Sequence, residues 1–169
     1  TYPDGSKTYF EYDGVGNVTR ETRHPRPGSS SDVLVTEATY AVSEAKTATK
    51  PLKLTAPGGG TTTYTYESAH GGVSTEVGPA VNGVSPAKKY RYVKKYAWLK
   101  NASGGYSQAT TPVWVRTEER SCKSSSLDLA AGSCAGGTDD LIVTSYEYQE
   151  GNAATPSNLL LKGSSVSAG

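Results

Sequence analysis

The sequence predicts an all-β fold, an antiparallel β-hairpin repeat strip with little or no helix. Three observations carry that expectation. Hydrophobic residues make up only 35% of the 169 residues, with 19 Gly, 9 Pro and no Met, a composition rich in chain reversals and poor in helix formers. The side chains able to bury area are mostly Tyr (12 of them), with Val and Thr, types that suit a half-buried pleated surface. Finally, an aromatic-x-aromatic step recurs along the chain, at Phe10/Tyr12, Tyr64/Tyr66, Tyr90/Tyr92 and Tyr146/Tyr148.

The first element follows from local turn chemistry. Pro3-Asp4-Gly5 is a turn in which Pro sets φ, Asp bonds nearby backbone and Gly takes positive φ. Asp13-Gly14-Val15-Gly16-Asn17 is a second turn cluster, so Lys7–Tyr12 and Asn17–Arg23 read as a hairpin. After a Pro- and Ser-containing loop over 24–32, a weaker copy runs from Thr55 to Glu67, and His70-Gly71-Gly72 leads into a strand at Val73–Val77. Loops are expected over 78–86, 101–105 and 123–133, and a last strand over 159–166.

The aromatic pairs start 54, 26 and 56 positions apart (Phe10 to Tyr64, Tyr64 to Tyr90, Tyr90 to Tyr146). These are near multiples of a unit of about 27, as in repeat architectures. Two units would be degenerate, one near Tyr40 and one near Val113-Trp114-Val115-Arg116. The expected organisation is one array over residues 1–169. A chain opening at Thr1-Tyr2-Pro3 reads as an internal piece of something longer.

Charge and cysteines narrow the function classes. The 17 basic and 16 acidic residues nearly cancel, which removes the usual electrostatic argument for a dedicated nucleic-acid- or membrane-binding role. No apolar run approaches the ~20 residues that span a bilayer. Cys122 and Cys134 bound a polar Ser- and Gly-rich stretch; a disulfide at its base or two free thiols are the alternatives. The small core such a loop can build favours the disulfide and an oxidising compartment.

Tyr12-Asp13 followed by Gly16-Asn17-Val18-Thr19 resembles the YD (Rhs) repeat motif, Tyr-Asp-x-x-Gly-Arg/Asn-aliphatic-Thr, with Phe10 at the family's first aromatic. The other copies keep the Tyr pair but carry Glu67, Val93 or Gln149 in place of the Asp. The stretch from Ala97 to Tyr148 also looks like a segment of bacterial Rhs-repeat proteins. The resemblance implies a β-strip that winds into a hollow shell, which in bacterial Rhs proteins and toxin-complex subunits encloses a C-terminal toxin. It implies a secreted or cell-surface bacterial location, with the remainder of the parent protein and its toxin as partners. The chain contains no Asp-Pro pair and no toxin-like domain, so it would contribute wall alone. Exposed strand edges should favour self-association.

Catalytic, metal and ligand-binding alternatives are weighed against that. Gly132-Ser133-Cys134-Ala135-Gly136 has the form of a nucleophile elbow, but its flanks are loop-like and His24 and His70 fall in turns, so no catalytic residue and no enzyme activity is expected. Asp13–Asn17 lacks the oxygen ligands of a calcium loop, and Asp139-Asp140 reads as a turn or strand-edge pair, so no metal or cofactor is expected. The candidate ligand patch is Lys89, Tyr90, Arg91, Tyr92, Lys95, Tyr96 and Trp98. As one strand, 88–98 would place Tyr90, Tyr92, Tyr96 and Trp98 on one face with Lys88 and Lys94, and Lys89, Arg91 and Lys95 on the other. Such a face could serve a carbohydrate- or nucleic-acid-binding β-module.

Overall fold

The computed structural model describes Thr1–Gly169, all residues of the chain, as twelve β-strands and one 3-10 turn, with no α-helix. The chain divides into two compact units, Thr1–Ser85 and Pro86–Gly169.

The first unit is an antiparallel meander of β1 (Lys7–Tyr12), β2 (Val18–His24), β3 (Leu34–Tyr40), β4 (Pro51–Thr55), β5 (Thr61–Tyr66) and β6 (Val73–Val77), each strand pairing with the next in sequence. Meander order is what short connections permit. Paired residues share a face of the sheet. Following the pairs across the unit puts Phe10, Glu21, Thr36 and Ala38 on one side with Leu54, Thr62 and Tyr64. The other side carries Glu11, Arg20, Glu37, Thr55 and Thr61. The first face mixes aromatic and aliphatic side chains with Glu21, Thr36 and Thr62, while the second is mainly Thr-rich and charged, with Tyr9 and Val35 among it.

The second unit contains β7 (Ala87–Lys95), β8 (Trp98–Lys100), β9 (Tyr106–Gln108), β10 (Val113–Cys122), β11 (Leu141–Tyr148) and β12 (Leu161–Ala168). Strands β7, β10, β11 and β12 pair in that order, all antiparallel, while β8 and β9 form a separate small hairpin.

Five hairpins close the same way. In each, the last tyrosine of the outgoing strand faces a residue of the return strand after which one residue of that strand is skipped; in all but the Tyr92 hairpin the facing residue is the first paired one. Tyr12 faces Val18 with Thr19 skipped, Tyr40 faces Pro51 with Leu52 skipped, and Tyr66 faces Val73 with Ser74 skipped. Tyr92 faces Arg116 with Thr117 skipped, and Tyr148 faces Leu161 with Lys162 skipped. These are β-bulges, which sharpen local twist at a fixed point of every unit.

Tyr40 thus occupies the first of the two expected degenerate positions. Val113–Arg116 does not form a second one, because it is the return strand of the Tyr92 hairpin. The long interval from Tyr92 to Tyr148 is one unit with two enlarged connections, the β8–β9 excursion and the cysteine-bounded loop.

Little is buried. Besides Gly71 and Gly132, the buried residues are Tyr90, Val115, Leu127 and Cys134 among the hydrophobics, and Asn17, Thr47, Asp140 and Ser157 among the polar ones. Four of these eight side chains are polar, so much of what is shielded from water is hydrogen-bonded loop rather than hydrophobic core.

Candidate functional site

The features that recur are the hairpin ends, so the site is built from there. In the YD-like loop, Asp13 Oδ1 accepts from the backbone N–H groups of Val15 (3.0 Å) and Asn17 (2.9 Å), and Oδ2 accepts from Asn17 Nδ2 (2.8 Å). Gly16 supplies the positive φ (92°) that this closure requires. The same Asn17 amide donates to the Ala48 carbonyl at 2.8 Å, tying this loop to the next hairpin's loop. Asp13, Gly16 and Asn17 therefore act as a turn with one outward tether.

The next loop repeats the device with other atoms. Lys46 Nζ donates to the carbonyls of Ser68 and Ala69 (3.1 and 2.7 Å), and Lys50 Nζ donates to that of Gly71. A Cβ on Gly71 would lie 2.7 Å from the Lys46 carbonyl oxygen, so only glycine lets the two loops meet. In the second unit, Trp98 and Ser157 exchange backbone hydrogen bonds (2.8 and 3.1 Å) and Tyr106 N–H donates to the Ala153 carbonyl, which docks the β8–β9 hairpin on the β11–β12 loop.

A second tether runs through the terminal tyrosines. Tyr40 donates its hydroxyl to the Val18 carbonyl (3.1 Å), Tyr66 to that of Pro51 (2.6 Å) and Tyr148 to that of Arg116 (2.8 Å). Val18, Pro51 and Arg116 are the residues that face the preceding terminal tyrosines, Tyr12, Tyr40 and Tyr92. These three hairpins are each locked to the one before by the same atom at the same point.

Between the rings sits Arg116. Its guanidinium carbon lies 5.4 Å from the Tyr90 ring centroid and 4.6 Å from that of Tyr146, while Nη2 donates to the Tyr146 hydroxyl (3.1 Å) and Nη1 pairs with Glu119 (3.6 Å). A planar cation stacked between two rings supplies both packing and cation–π attraction. In the sequence Arg116 reads only as part of an expected degenerate unit, because its place between the rings depends on which strands pair.

The candidate ligand patch is divided by the fold. Strand β7 ends at Lys95, so Tyr96 and Trp98 lie off it, Trp98 opening β8. The chain leaves the strand without a Gly or Pro to announce it. Tyr90 and Tyr92 share a face with Arg116, as expected for alternation, but Tyr90 is buried there. The basic residues have partners: Lys89 donates to the Ala130 carbonyl, Arg91 pairs with Glu118 at 4.0 Å, and Lys95 with Glu150.

Cys122 and Cys134 are disulfide-bonded with their Cα atoms 5.8 Å apart, which decides between the two thiol alternatives. Such bonds persist in oxidising surroundings. Beside the bridge, Asp140 is buried and accepts from both the N–H and the hydroxyl of Ser124 (2.8 and 2.9 Å) and of Ser125, the backbone bond there being 3.1 Å. The Ser125 hydroxyl contributes most to holding this carboxyl below its usual range; burial opposes it but is outweighed. A Cβ on Gly136 would fall 2.9 Å from Asp140. Asp140 thus does more than edge a strand: it organises the loop from inside, while Asp139 stays exposed.

The sulfurs and the Asp140 carboxylate lie within 4.8 Å of one another, but both sulfurs are committed to the bridge, and a disulfide sulfur is neither a thiolate ligand nor a nucleophile. A groove of about 920 Å³ is lined in part by Lys95, Glu147, Glu150 and Lys162, and its charges pair as Lys95–Glu150 and Lys162–Glu147. No helix is long and apolar enough to cross a membrane.

Comparison with protein-family models and with curated proteins found no match for this chain.

Proposed function

We propose that the chain is a non-catalytic stretch of wall in a secreted or cell-surface protein of the bacterial YD/Rhs-repeat kind, whose β-strip encloses a C-terminal toxin. The observation that carries this reading is the tyrosine lock, in which the terminal hydroxyls of Tyr40, Tyr66 and Tyr148 each reach the preceding hairpin's return strand at the equivalent carbonyl. A lock repeated at the bulge of successive hairpins has an architectural rather than a chemical use: it sets a constant step from unit to unit, as a continuous wall requires. The YD-like residues Tyr12, Asp13, Gly16 and Asn17 fit the same use, since they form a turn and a tether to the next loop. Phe10, Tyr64, Tyr66, Tyr90, Tyr92, Tyr146 and Tyr148 are its packing ladder. The disulfide agrees with delivery outside a reducing cytosol.

The test uses the uninterrupted polypeptide encoded around this segment, examined by electron cryomicroscopy and limited proteolysis. The expected result is a hollow β-shell with these hairpins in its wall and a C-terminal segment protected from protease until the shell is opened. A reading frame without flanking hairpin repeats, or a solid domain with no enclosed segment, overturns the proposal.

A further inference from the structure

The two cysteines change their chemistry with their surroundings. In oxidising surroundings they form the Cys122–Cys134 bridge. A chain made in a reducing cytosol holds them first as two thiols, because the glutathione and thioredoxin pools there keep thiols reduced. What the loop does in that form depends on what stands beside the sulfurs.

Backbone contacts that do not involve the bridge hold three residues together. Cys122 ends β10 and faces Leu141, and the next residue, Lys123, donates its N–H to the Asp140 carbonyl at 2.8 Å. Cys134 forms a β-bridge with Leu127, flanked by bonds from Asp128 N–H to the Ser133 carbonyl (2.8 Å) and from Ala135 N–H to the Ser126 carbonyl (3.1 Å). Reducing the S–S bond removes none of these hydrogen bonds. Two thiols and the buried Asp140 carboxylate then remain side by side, their ligand atoms lying within 4.8 Å of one another in the bridged chain.

Two thiolates and a carboxylate are a donor set for zinc, which takes sulfur at about 2.3 Å and carboxylate oxygen at about 2.0–2.2 Å in a tetrahedron. Such bonds put neighbouring ligand atoms about 3.5–3.8 Å apart. The sulfurs can reach that separation by side-chain rotation about Cα atoms that are 5.8 Å apart. Calcium and magnesium, which take oxygen, do not suit the sulfurs. The carboxylate is already aimed: the N–H groups of Ser124 and Ser125 hold its two oxygens at 2.8 and 3.1 Å, as outer partners orient a metal ligand. The serine hydroxyls that also reach it are rotors, and turning one away frees a lone pair for a metal.

We propose that the reduced chain binds one zinc ion through the Cys122 and Cys134 sulfurs and an Asp140 oxygen, with water as the fourth ligand. The inference is independent of the wall reading, since it uses this loop alone. The exchange balances. A dithiol reductant gives two electrons and two protons to the bridge, becoming a disulfide itself and leaving two protein thiols. Binding of zinc then releases both thiol protons to solvent. In the reverse direction an external disulfide takes two electrons from the thiolates and two protons from solvent to become two thiols, while the protein S–S bond re-forms and zinc leaves. The loop, whose buried apolar residues are Leu127 and Cys134, thus has one clamp in reducing surroundings and another in oxidising ones.

The full chain, reduced with a phosphine and kept free of oxygen, tests this with cobalt(II) as a spectroscopic substitute and then with zinc itself. Cobalt should produce thiolate charge-transfer bands and the d–d bands of a tetrahedral site, and an equivalent of zinc should remove them. The bridged chain and a Cys122→Ser, Cys134→Ser chain should show neither. X-ray absorption at the zinc edge should resolve two sulfurs at about 2.3 Å and two lighter atoms at about 2.0–2.2 Å. Asp140→Asn should lower zinc affinity by about a hundredfold, the upper end of what losing even an outer partner costs. Absence of the bands from the reduced wild type, four sulfurs around zinc shared between two chains, or an affinity unchanged in Asp140→Asn overturns the site. The X-ray measurement uses the unmodified chain, so it decides the ligand set even where Asp140→Asn fails to fold.

Discussion

At Tyr66 the ring packs on the sheet while the hydroxyl, 2.6 Å from the Pro51 carbonyl, closes the lock, so one side chain joins apolar packing to a directed bond. Replacing it by Phe keeps the ring and removes the bond. The expected cost is about 1 kcal/mol, the net value of a neutral hydrogen bond, read as a shift in the urea midpoint with unchanged slope. The phenol pKa is raised, chiefly by burial and then by Tyr64 and Tyr40. A raised folded pKa means its contribution is whole below the unfolded value, about pH 10, and is lost as pH rises through the folded one. The Phe variant should therefore lack part of the wild type's alkaline loss of stability; equal stability of the two chains at pH 7 would remove the lock from the account of the fold. The aromatic pairs were legible in the sequence because alternation is a local property. That Tyr12, Tyr66 and Tyr148 end their strands, and that the hydroxyls of Tyr66 and Tyr148 find the preceding hairpin, were not legible, because both depend on which carbonyl lies across the sheet.

Elements were legible where their boundaries are written in turn chemistry. Asp13–Asn17 and His70–Gly72 carry glycines that take positive φ, at Gly16 and Gly71, and the hairpins around them lie where the residues suggest. Strand β7 is the contrary case: aromatic alternation continues through Trp98 although pairing with β10 stops at Lys95, and no local signal separates the two. Val113–Arg116 was misleading for a related reason, since spacing alone cannot tell an outgoing strand from a return strand. The cysteine-bounded loop shows what holds an element with little core. Its supports are the Cys122–Cys134 bridge, which spans 12 positions, the buried Leu127 and the Asp140 cage. Removing both cysteines should cost about 2–3 kcal/mol, as expected for closing a loop of this size. Asp140 should add a pH dependence. Its lowered pKa means that its contribution is whole above the unfolded value, near pH 4, and disappears as pH falls through the folded one. Hydrogen exchange at the Ser124 and Ser125 amides should therefore accelerate below about pH 4, relative to the intrinsic acid profile, in the wild type and not in an Asp140→Asn chain. Unchanged protection in acid would mean that the bridge alone holds the loop.

The molecule as a whole keeps an unusual amount of surface in water. Its accessible area is 10594 Å² at 17.7 kDa, where the scaling for compact monomers gives roughly 8,000 Å². No large side chain is fully buried, and the main strand contacts run between sheet neighbours, so the ladder bonds and cross-strand pairs carry stability that other domains draw from a core. The nine ion pairs do not replace a core, since in most of them at least one partner is well exposed, and exposed pairs are worth little. This has a thermodynamic consequence. The heat capacity of unfolding tracks the apolar area newly exposed, and ordinary domains show about 12–15 cal/mol/K per residue. A chain of this mass exposes roughly 26,000 Å² when unfolded, so folding removes about 15% less area than in a compact globule. Calorimetry across a pH series, at concentrations low enough to keep the chain monomeric, should give a value at or below about 12 cal/mol/K per residue. The stability curve should be correspondingly flat around its maximum. A value near 15 would mean that the chain folds in solution around a core that the sheet faces do not provide, and would count against a wall built of single sheets.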